Sequence, residues 1–143
     1  MKNNILFVVG VVGGAIATAL GGWDASIINL LIMMGIDLVT GIVTAAVFKK
    51  STKTKTGALS SSAMRKGLFK KGMILIMVVV ANILDRQLGI DAIRDAVCIA
   101  FIANEAISII ENAGIMGVPI PKIILNAIDL LKQKSENGGA KNE

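Results

Sequence analysis

Two carboxylic acids lie deep inside long apolar runs of this chain, where their chemistry would be unusual. Asp37 lies ten residues into the run 27–48, and Glu105 lies twelve residues into the run 93–116. A charged carboxylate at the centre of a bilayer costs about 3 kcal/mol or more, so we expect both groups to avoid lipid. Such groups bind a proton, accept hydrogen bonds, or line a water-filled lumen.

A third polar group, Asn82, lies ten residues into the run 72–88. At about 1.5 Å per helical residue, the three side chains each lie roughly 15–18 Å from a helix end, near the middle of a bilayer. We call this set and its polar neighbours the polar belt: Asp37, Thr40, Asn82, Asn104, Glu105 and Ser108. The belt is either a structural polar clamp within a bundle or a face used in self-assembly or pore formation.

The rest of the composition argues against catalysis. The chain has no His and no Tyr, so two common proton-transfer side chains are missing. It has no CxxC, no P-loop and no GxGxxG after a strand, and the lone Cys98 reads as a packed thiol. We therefore predict that the protein is not an enzyme and has no catalytic, cofactor-binding or metal-binding residues.

Long apolar segments must carry the polar belt. The chain is 54% hydrophobic, above the 45–50% or so of typical soluble domains. Spans are predicted at residues 5–22, 27–48, 72–88 and 93–116. The first also resembles a signal peptide, but its apolar run is longer than usual, so we expect a retained helix. A version with three spans, in which residues 85–116 lie partly in the interface, remains open.

A basic loop at residues 49–71 sets the predicted orientation. It contains eight basic residues and no acidic one: Lys49, Lys50, Lys53, Lys55, Arg65, Lys66, Lys70 and Lys71. Short loops rich in Lys and Arg stay in the cytoplasm, so four spans place both termini there too. Anionic lipids are the expected partners of these charges. Aromatic residues make up only 3% of the chain, which argues against nucleic acid.

Small residues form ridges on the first span. Gly10, Gly14 and Thr18 recur every four residues, with Gly13 beside them, and Gly41 lies in the second span. Such ridges let membrane helices approach closely, within one chain or between copies in a homo-oligomer.

The end of the chain differs from the transmembrane domain, residues 1–118. Residues 119–134 predict an amphipathic helix that either lies on the inner leaflet or pairs with copies of itself. Residues 135–143 predict a disordered tail. The predicted fold class is an all-α integral membrane protein, a bundle of about four transmembrane helices plus this C-terminal helix.

The segment 104–122, NEAISIIENAGIMGVPIPK, resembles the bacteriophage holin family that also covers clostridial toxin-secretion holins. The matching residues are Glu105, Ser108, Ile109, Glu111, Asn112, Gly117, Pro119, Pro121 and Lys122. Upstream, Asp37, Thr40 and Gly41 match the family's Asp-x-x-Thr-Gly motif, and the basic loop and the end of the third span match as well. The resemblance covers about residues 23–132.

The resemblance implies a function that the residues alone do not. Holins assemble in the bacterial host's cytoplasmic membrane and open timed lesions that release or activate a cell-wall hydrolase; relatives export large toxins. Direct contact with the hydrolase is not implied. The alternatives are a small four-helix proton-coupled transporter, for which the single Trp and absent Tyr offer little aromatic surface, and a passive membrane scaffold.

Overall fold

Capping residues divide the chain into five α-helices. The computed structural model describes residues 1–140, and the helices within them are α1 (Lys2–Ala19), α2 (Ala25–Ala46), α3 (Ser61–Leu88), α4 (Ile93–Ile115) and α5 (Lys122–Ala140). The Asp24 side chain caps α2 by accepting from the Ile27 amide, and the Ser60 side chain caps α3 by accepting from the Ala63 amide. Gly89 ends α3 in the left-handed conformation.

The centre of the fold is a bundle of α2, α3 and α4, with α4 packed against both neighbours. Its apolar core is Leu20, Ile27, Leu30, Met34, Val78 and Cys98. Because lipid tails are as apolar as these side chains, close packing and polar pairs must hold the helices together in a membrane. The polar pairs of this bundle therefore contribute directly to the association of its helices.

α1 stands apart from this bundle. Ala17 is its only buried residue, and apolar side chains such as Phe7 are largely exposed. A Cβ built on Gly10, Gly13 or Gly14 would meet no atom within 4 Å, so these three glycines of the predicted ridge have open space beside them among the described residues. α1 is joined to the rest through its C-terminal end.

α5 packs back along α4 in the opposite direction. A Cβ built on Gly138, near the end of α5, would lie 3.5 Å from the Ala96 Cβ near the start of α4. Ile128 is buried, while Ile123 and Leu130 on other faces are exposed. The structure thus shows α5 against its own chain, an arrangement that the sequence reading did not consider.

Observed and predicted boundaries differ most at α3 and α5. α3 begins at Ser61, so residues 61–71 of the predicted basic loop are helical. α5 continues to Ala140, so residues 135–140 of the predicted disordered tail are also helical, while residues 141–143 lie outside the described part.

By length and apolar composition, α1, α2 and α3 are able to cross a membrane. α4 is equally long but carries Arg94, Asp95, Glu105 and Glu111. The all-helical class agrees with the structure, whereas the count of four spans remains a prediction.

Candidate functional site

A lysine joins the two buried carboxylates of the polar belt. Lys71 Nζ of α3 donates to Asp37 Oδ2 of α2 at 2.8 Å and also to Glu105 Oε2 of α4. The side chains of Asp37 and Glu105 are each 8% exposed, and that of Lys71 is 14% exposed. We call these three residues the inner cluster. They link all three helices of the bundle.

The inner cluster has two acids for one base. When both carboxylates are ionised it carries one net negative charge. Unbalanced charge is costly in a poorly polarisable interior, so the two carboxylates depend on Lys71 for their charge pairing.

An amide extends the inner cluster towards the C-terminal end of α4. Asn112 Nδ2 donates to Thr40 Oγ1 at 3.1 Å and to Asp37 Oδ1 at 3.5 Å. A Cβ built on Gly41 would lie 3.8 Å from the same nitrogen, an ordinary van der Waals distance, so Gly41 lies directly beside the Asn112 side chain. Seven residues separate Glu105 from Asn112 and three separate Asp37 from Thr40, which puts each pair on one helix face.

A cleft leads to the inner cluster from the end where the basic residues lie. Its volume is about 450 Å³, and Asp37, Lys71 and Glu105 lie along it. Its walls come from α2, the connection at residues 47–60 and the first turns of α3. The inner cluster is thus buried from lipid yet lies beside a space that admits water.

A second charged site lies at the opposite end of the bundle, around Arg94 of α4. Its guanidinium donates to Asp24 through Nη1 at 2.6 Å and Nη2 at 3.1 Å, to the Gly22 carbonyl at 3.3 Å, and to the Leu20 carbonyl. Gly21 has a φ of +88°, and a Cβ there would lie 2.5 Å from Arg94 Nε. A side chain at residue 21 would therefore collide with the guanidinium and strain the backbone.

The same end of α3 supplies three further polar residues, which make four hydrogen bonds. Both Asp85 carboxylate oxygens accept 2.9 Å hydrogen bonds, one from the Ile93 amide and one from the Arg94 amide. Asn82 donates to the Ala19 carbonyl at 3.0 Å, and Arg86 donates to the Thr18 carbonyl at 3.3 Å. Together with Arg94 and Asp24 these residues form the outer cluster, which anchors the end of α1 to α3 and α4.

The Arg94 contact also acts on the titration of Asp24. The hydrogen bonds from Arg94 hold the pKa of the Asp24 carboxyl below its ordinary value of 3.8, helped by the Ile27 amide and opposed by partial burial. Asp24 is therefore an acceptor for Arg94 at neutral pH.

The structure brings together only part of the predicted polar belt. Asp37, Thr40 and Glu105 meet in or beside the inner cluster, and Ser108 is half-buried near them on α4. Asn82 belongs instead to the outer cluster, because it lies only six residues before the end of α3 at Leu88 and reaches the Ala19 carbonyl there. Asn104 is exposed.

The remaining predicted residues lie in different parts of the structure. Of the residues in the family-like motif, Asn112 is buried, Glu111 is exposed, Gly117 has a φ of +85°, and Pro119 and Pro121 form the connection to Lys122 at the start of α5. Of the basic residues, Lys49, Lys50, Lys53 and Lys55 lie on the loop, and Arg65, Lys66, Lys70 and Lys71 lie on α3.

Sequence reasoning missed the main partners in both clusters. Lys71 was assigned to the cytoplasmic loop, and Arg94 was given no role. The sequence contained an indication of each partner. Lys71 directly precedes an apolar run. Arg94 follows Asp91, in a connection predicted to lie on the same side of the membrane as Asp24. Pairing isolated charges at similar predicted depth would have found both.

Comparisons with known proteins agree with the family-like motifs. The model of the bacteriophage holin family matches residues 14–133. An uncharacterised protein of Clostridium perfringens is 38% identical over 117 residues, covering 80% of this chain and 81% of that protein. An uncharacterised protein of Halalkalibacterium halodurans is 36% identical, covering 85% of this chain and 89% of its own length. A protein named "Probable holin" of Bacillus phage phi105 is 28% identical, covering 80% of this chain and 79% of that protein. No solved structure matches the chain.

Proposed function

The chain belongs to the bacteriophage holin family, and we propose that it acts as a holin in the cytoplasmic membrane of a bacterial host. Copies of the chain assemble there and open lesions at a set time. A cell-wall hydrolase is then released or activated, or a large toxin is exported. The family is one of membrane pore-forming proteins and is not an enzyme family.

The family match over residues 14–133 is the observation that carries this proposal. The distribution of charge supports it: apolar side chains cover the outside of α1 and α2, while Asp37, Lys71 and Glu105 face one another between helices. Charged groups inside a bilayer are retained where they face a bundle interior or a water-filled space.

The proposed orientation has both termini and the basic loop in the cytoplasm. The charges of residues 49–71 support it. α4 runs beside α2 over its whole length, since Arg94 meets Asp24 at one end and Asn112 meets Thr40 at the other. We propose that it spans the membrane with α2 as the fourth span.

α5 carries Asp129, Lys132, Lys134 and Glu136, and these charges are costly at membrane depth. We propose that α5 leaves α4 on insertion and lies on the inner leaflet, where anionic lipids attract its lysines.

The proposed route to assembly is the ridge of Gly10, Gly13 and Gly14. It is free of contacts within one chain over the residues that the structure describes, so a second copy has access to it. Close packing of small residues is a common way in which membrane helices associate.

The proposed control of lesion opening is the inner cluster. In a tight assembly the three groups stay paired away from lipid, and in an open assembly the same helix faces line water. Because the two states hold protons and charges differently, protonation of the inner cluster shifts the equilibrium between them.

The test is inducible expression in bacteria, with membrane potential and release of a cytoplasmic enzyme recorded together. A holin collapses the potential abruptly after a delay and then passes folded protein. Asp37→Asn is expected to shift the delay, whereas Asp129→Asn, the same change at an exposed position of α5, is the matched control. Substrate-dependent proton flux without passage of protein would instead support the transporter, and a tight membrane would support the scaffold.

Cysteine labelling from outside intact cells tests the orientation, in a Cys98→Ser background. Ala25→Cys should label, and Thr56→Cys and Asn126→Cys should not. Labelling of both Ala25→Cys and Asn126→Cys, with Thr56→Cys unlabelled, would support three spans.

A further inference from the structure

The cleft beside the inner cluster combines an apolar wall with a basic rim. Ile42 of α2, Leu59 of the connection and Ile74 of α3 contribute to the wall. Lys53, Lys66 and Lys70 lie along the same cleft, and among residues 1–140 none of them has a carboxylate partner. Lys66 and Lys70 are four residues apart on α3, so they lie on the same face of that helix.

The connection that closes one side of the cleft is a folded loop. The Ser51 amide donates to the Gly57 carbonyl at 2.9 Å, and Thr54 Oγ1 donates to the Ala58 carbonyl at 2.9 Å. Ser51 Oγ accepts from the Lys53 amide at 3.2 Å, which fixes the backbone of that lysine. Gly57 has a φ of +75°, and a Cβ there would lie 2.2 Å from the Lys49 carbonyl oxygen, so the loop requires glycine.

Charge decides where an anion would bind. The inner cluster at the end of the cleft offers no free cation, because Lys71 is held by two carboxylates. The rim offers three positive charges, and the N-terminus of α3 at Ser60 opens onto the same space. An anion is therefore attracted to the rim and repelled from the inner cluster.

We propose that this cleft binds one anionic phospholipid of the cytoplasmic leaflet. The phosphate lies among Lys53, Lys66 and Lys70, and an acyl chain lies along the apolar wall. The apolar wall favours a lipid over a soluble phosphate compound or an acidic peptide. The volume of about 450 Å³ is within the range of small-molecule sites. The lipid would hold α2, the loop and α3 together beside the inner cluster.

This inference rests on the proposed orientation, with the loop in the cytoplasm. Native mass spectrometry of the purified full chain, solubilised from bilayers of equal phosphatidylglycerol and phosphatidylcholine, tests it. We expect one phosphatidylglycerol per chain to be retained in preference to phosphatidylcholine. The Lys66→Ala, Lys70→Ala double variant is expected to lower that preference by about fivefold per lysine removed.

Two further variants separate a built site from general attraction. Lys50→Ala with Lys55→Ala removes the same charge outside the cleft, and retention should be unchanged. Gly57→Ala keeps every lysine but disrupts the loop, and retention should fall. Equal losses in the two lysine pairs, or displacement of the lipid by excess glycerol phosphate, would overturn the proposal. Because lipid is counted on purified protein, these results are independent of the lysis assay.

Discussion

The two charged clusters of the bundle use opposite means to hold helices together. In the outer cluster the charged groups bond to backbone: Arg94 donates to the Leu20 and Gly22 carbonyls, and Asp85 accepts from two amides. In the inner cluster Lys71, Asp37 and Glu105 bond only through side chains. Backbone partners fix the geometry of the outer cluster, whereas side chains alone leave the inner cluster able to rearrange.

The exposure of the carboxylates differs as well. Arg94 meets Asp24 in a two-point contact and Asp95 at 3.5 Å, and these two side chains are 49% and 54% exposed. The Asp37 and Glu105 side chains that share Lys71 are each 8% exposed. Charged groups in one small bundle therefore serve two ends: a site with backbone partners anchors α1, and a buried site holds two carboxylates through one lysine.

Loss of Lys71 should have the largest effect. Lys71→Met leaves two buried carboxylates without a cation, and removal of one partner from a buried pair typically costs about 3–5 kcal/mol. We expect a large drop in the thermal stability of the purified protein. Adding Asp37→Asn and Glu105→Gln to this variant should restore most of the stability, because no charge then remains unpaired. Failure of this rescue would mean that Lys71 acts through packing.

Loss of Arg94 should come next. Arg94→Ala removes charged hydrogen bonds to Asp24 and to two carbonyls, for an expected cost of about 2–3 kcal/mol in the free energy of unfolding. Arg94→Lys should restore little, because an ammonium does not reproduce the planar fork of donors. Thermal unfolding measures both variants. A fully stable Arg94→Lys protein would contradict the distinction between the two clusters.

Single neutralisations in the inner cluster should affect timing more than stability. Asp37→Asn leaves one carboxylate opposite Lys71, so we expect stability to change by about 1 kcal/mol at most. Lysis onset should shift at equal protein level, and Asp37→Leu should delay or abolish lysis. Unchanged onset in Asp37→Leu, Glu105→Leu and their combination would assign the inner cluster a purely structural role.

The smallest expected effect is the acid sensitivity of the outer cluster. The folded-state pKa of Asp24 is lowered by Arg94, so this interaction stabilises the protein above the ordinary value of 3.8 and is lost as pH falls through the lower, folded-state pKa. Because the Asp24 side chain is 49% exposed, solvent screening keeps the contribution below about 1 kcal/mol. Melting temperatures from pH 7 to pH 3 should fall slightly more for wild type than for Asp24→Asn, which keeps the helix cap. If the melting temperatures of the two proteins fall equally with pH, titration of Asp24 does not contribute to acid sensitivity.

Much of the fold followed from sequence because it depends on local chemistry. Apolar runs of sufficient length predicted the long helices. Asp24 and Ser60 are typical N-cap residues, and Pro119 and Pro121 are of the type that interrupts helices. The motif residues 104–122 indicated the family that the comparison then showed. Asp37 and Glu105 were recognisable as a site because a carboxylate in an apolar run is costly wherever its helix packs.

Tertiary structure decided which charges meet. The start of α3 at Ser61 placed Lys71 in the bundle instead of the predicted loop, and the packing of α1 against the end of α3 brought Asn82 into the outer cluster. The parallel course of α2 and α4 brought Arg94 to Asp24, residues that are seventy positions apart. The sequence alone shows that a buried charge is costly. Which residue pairs with that charge depends on how the helices pack, and packing depends on contacts between residues that are distant in the sequence.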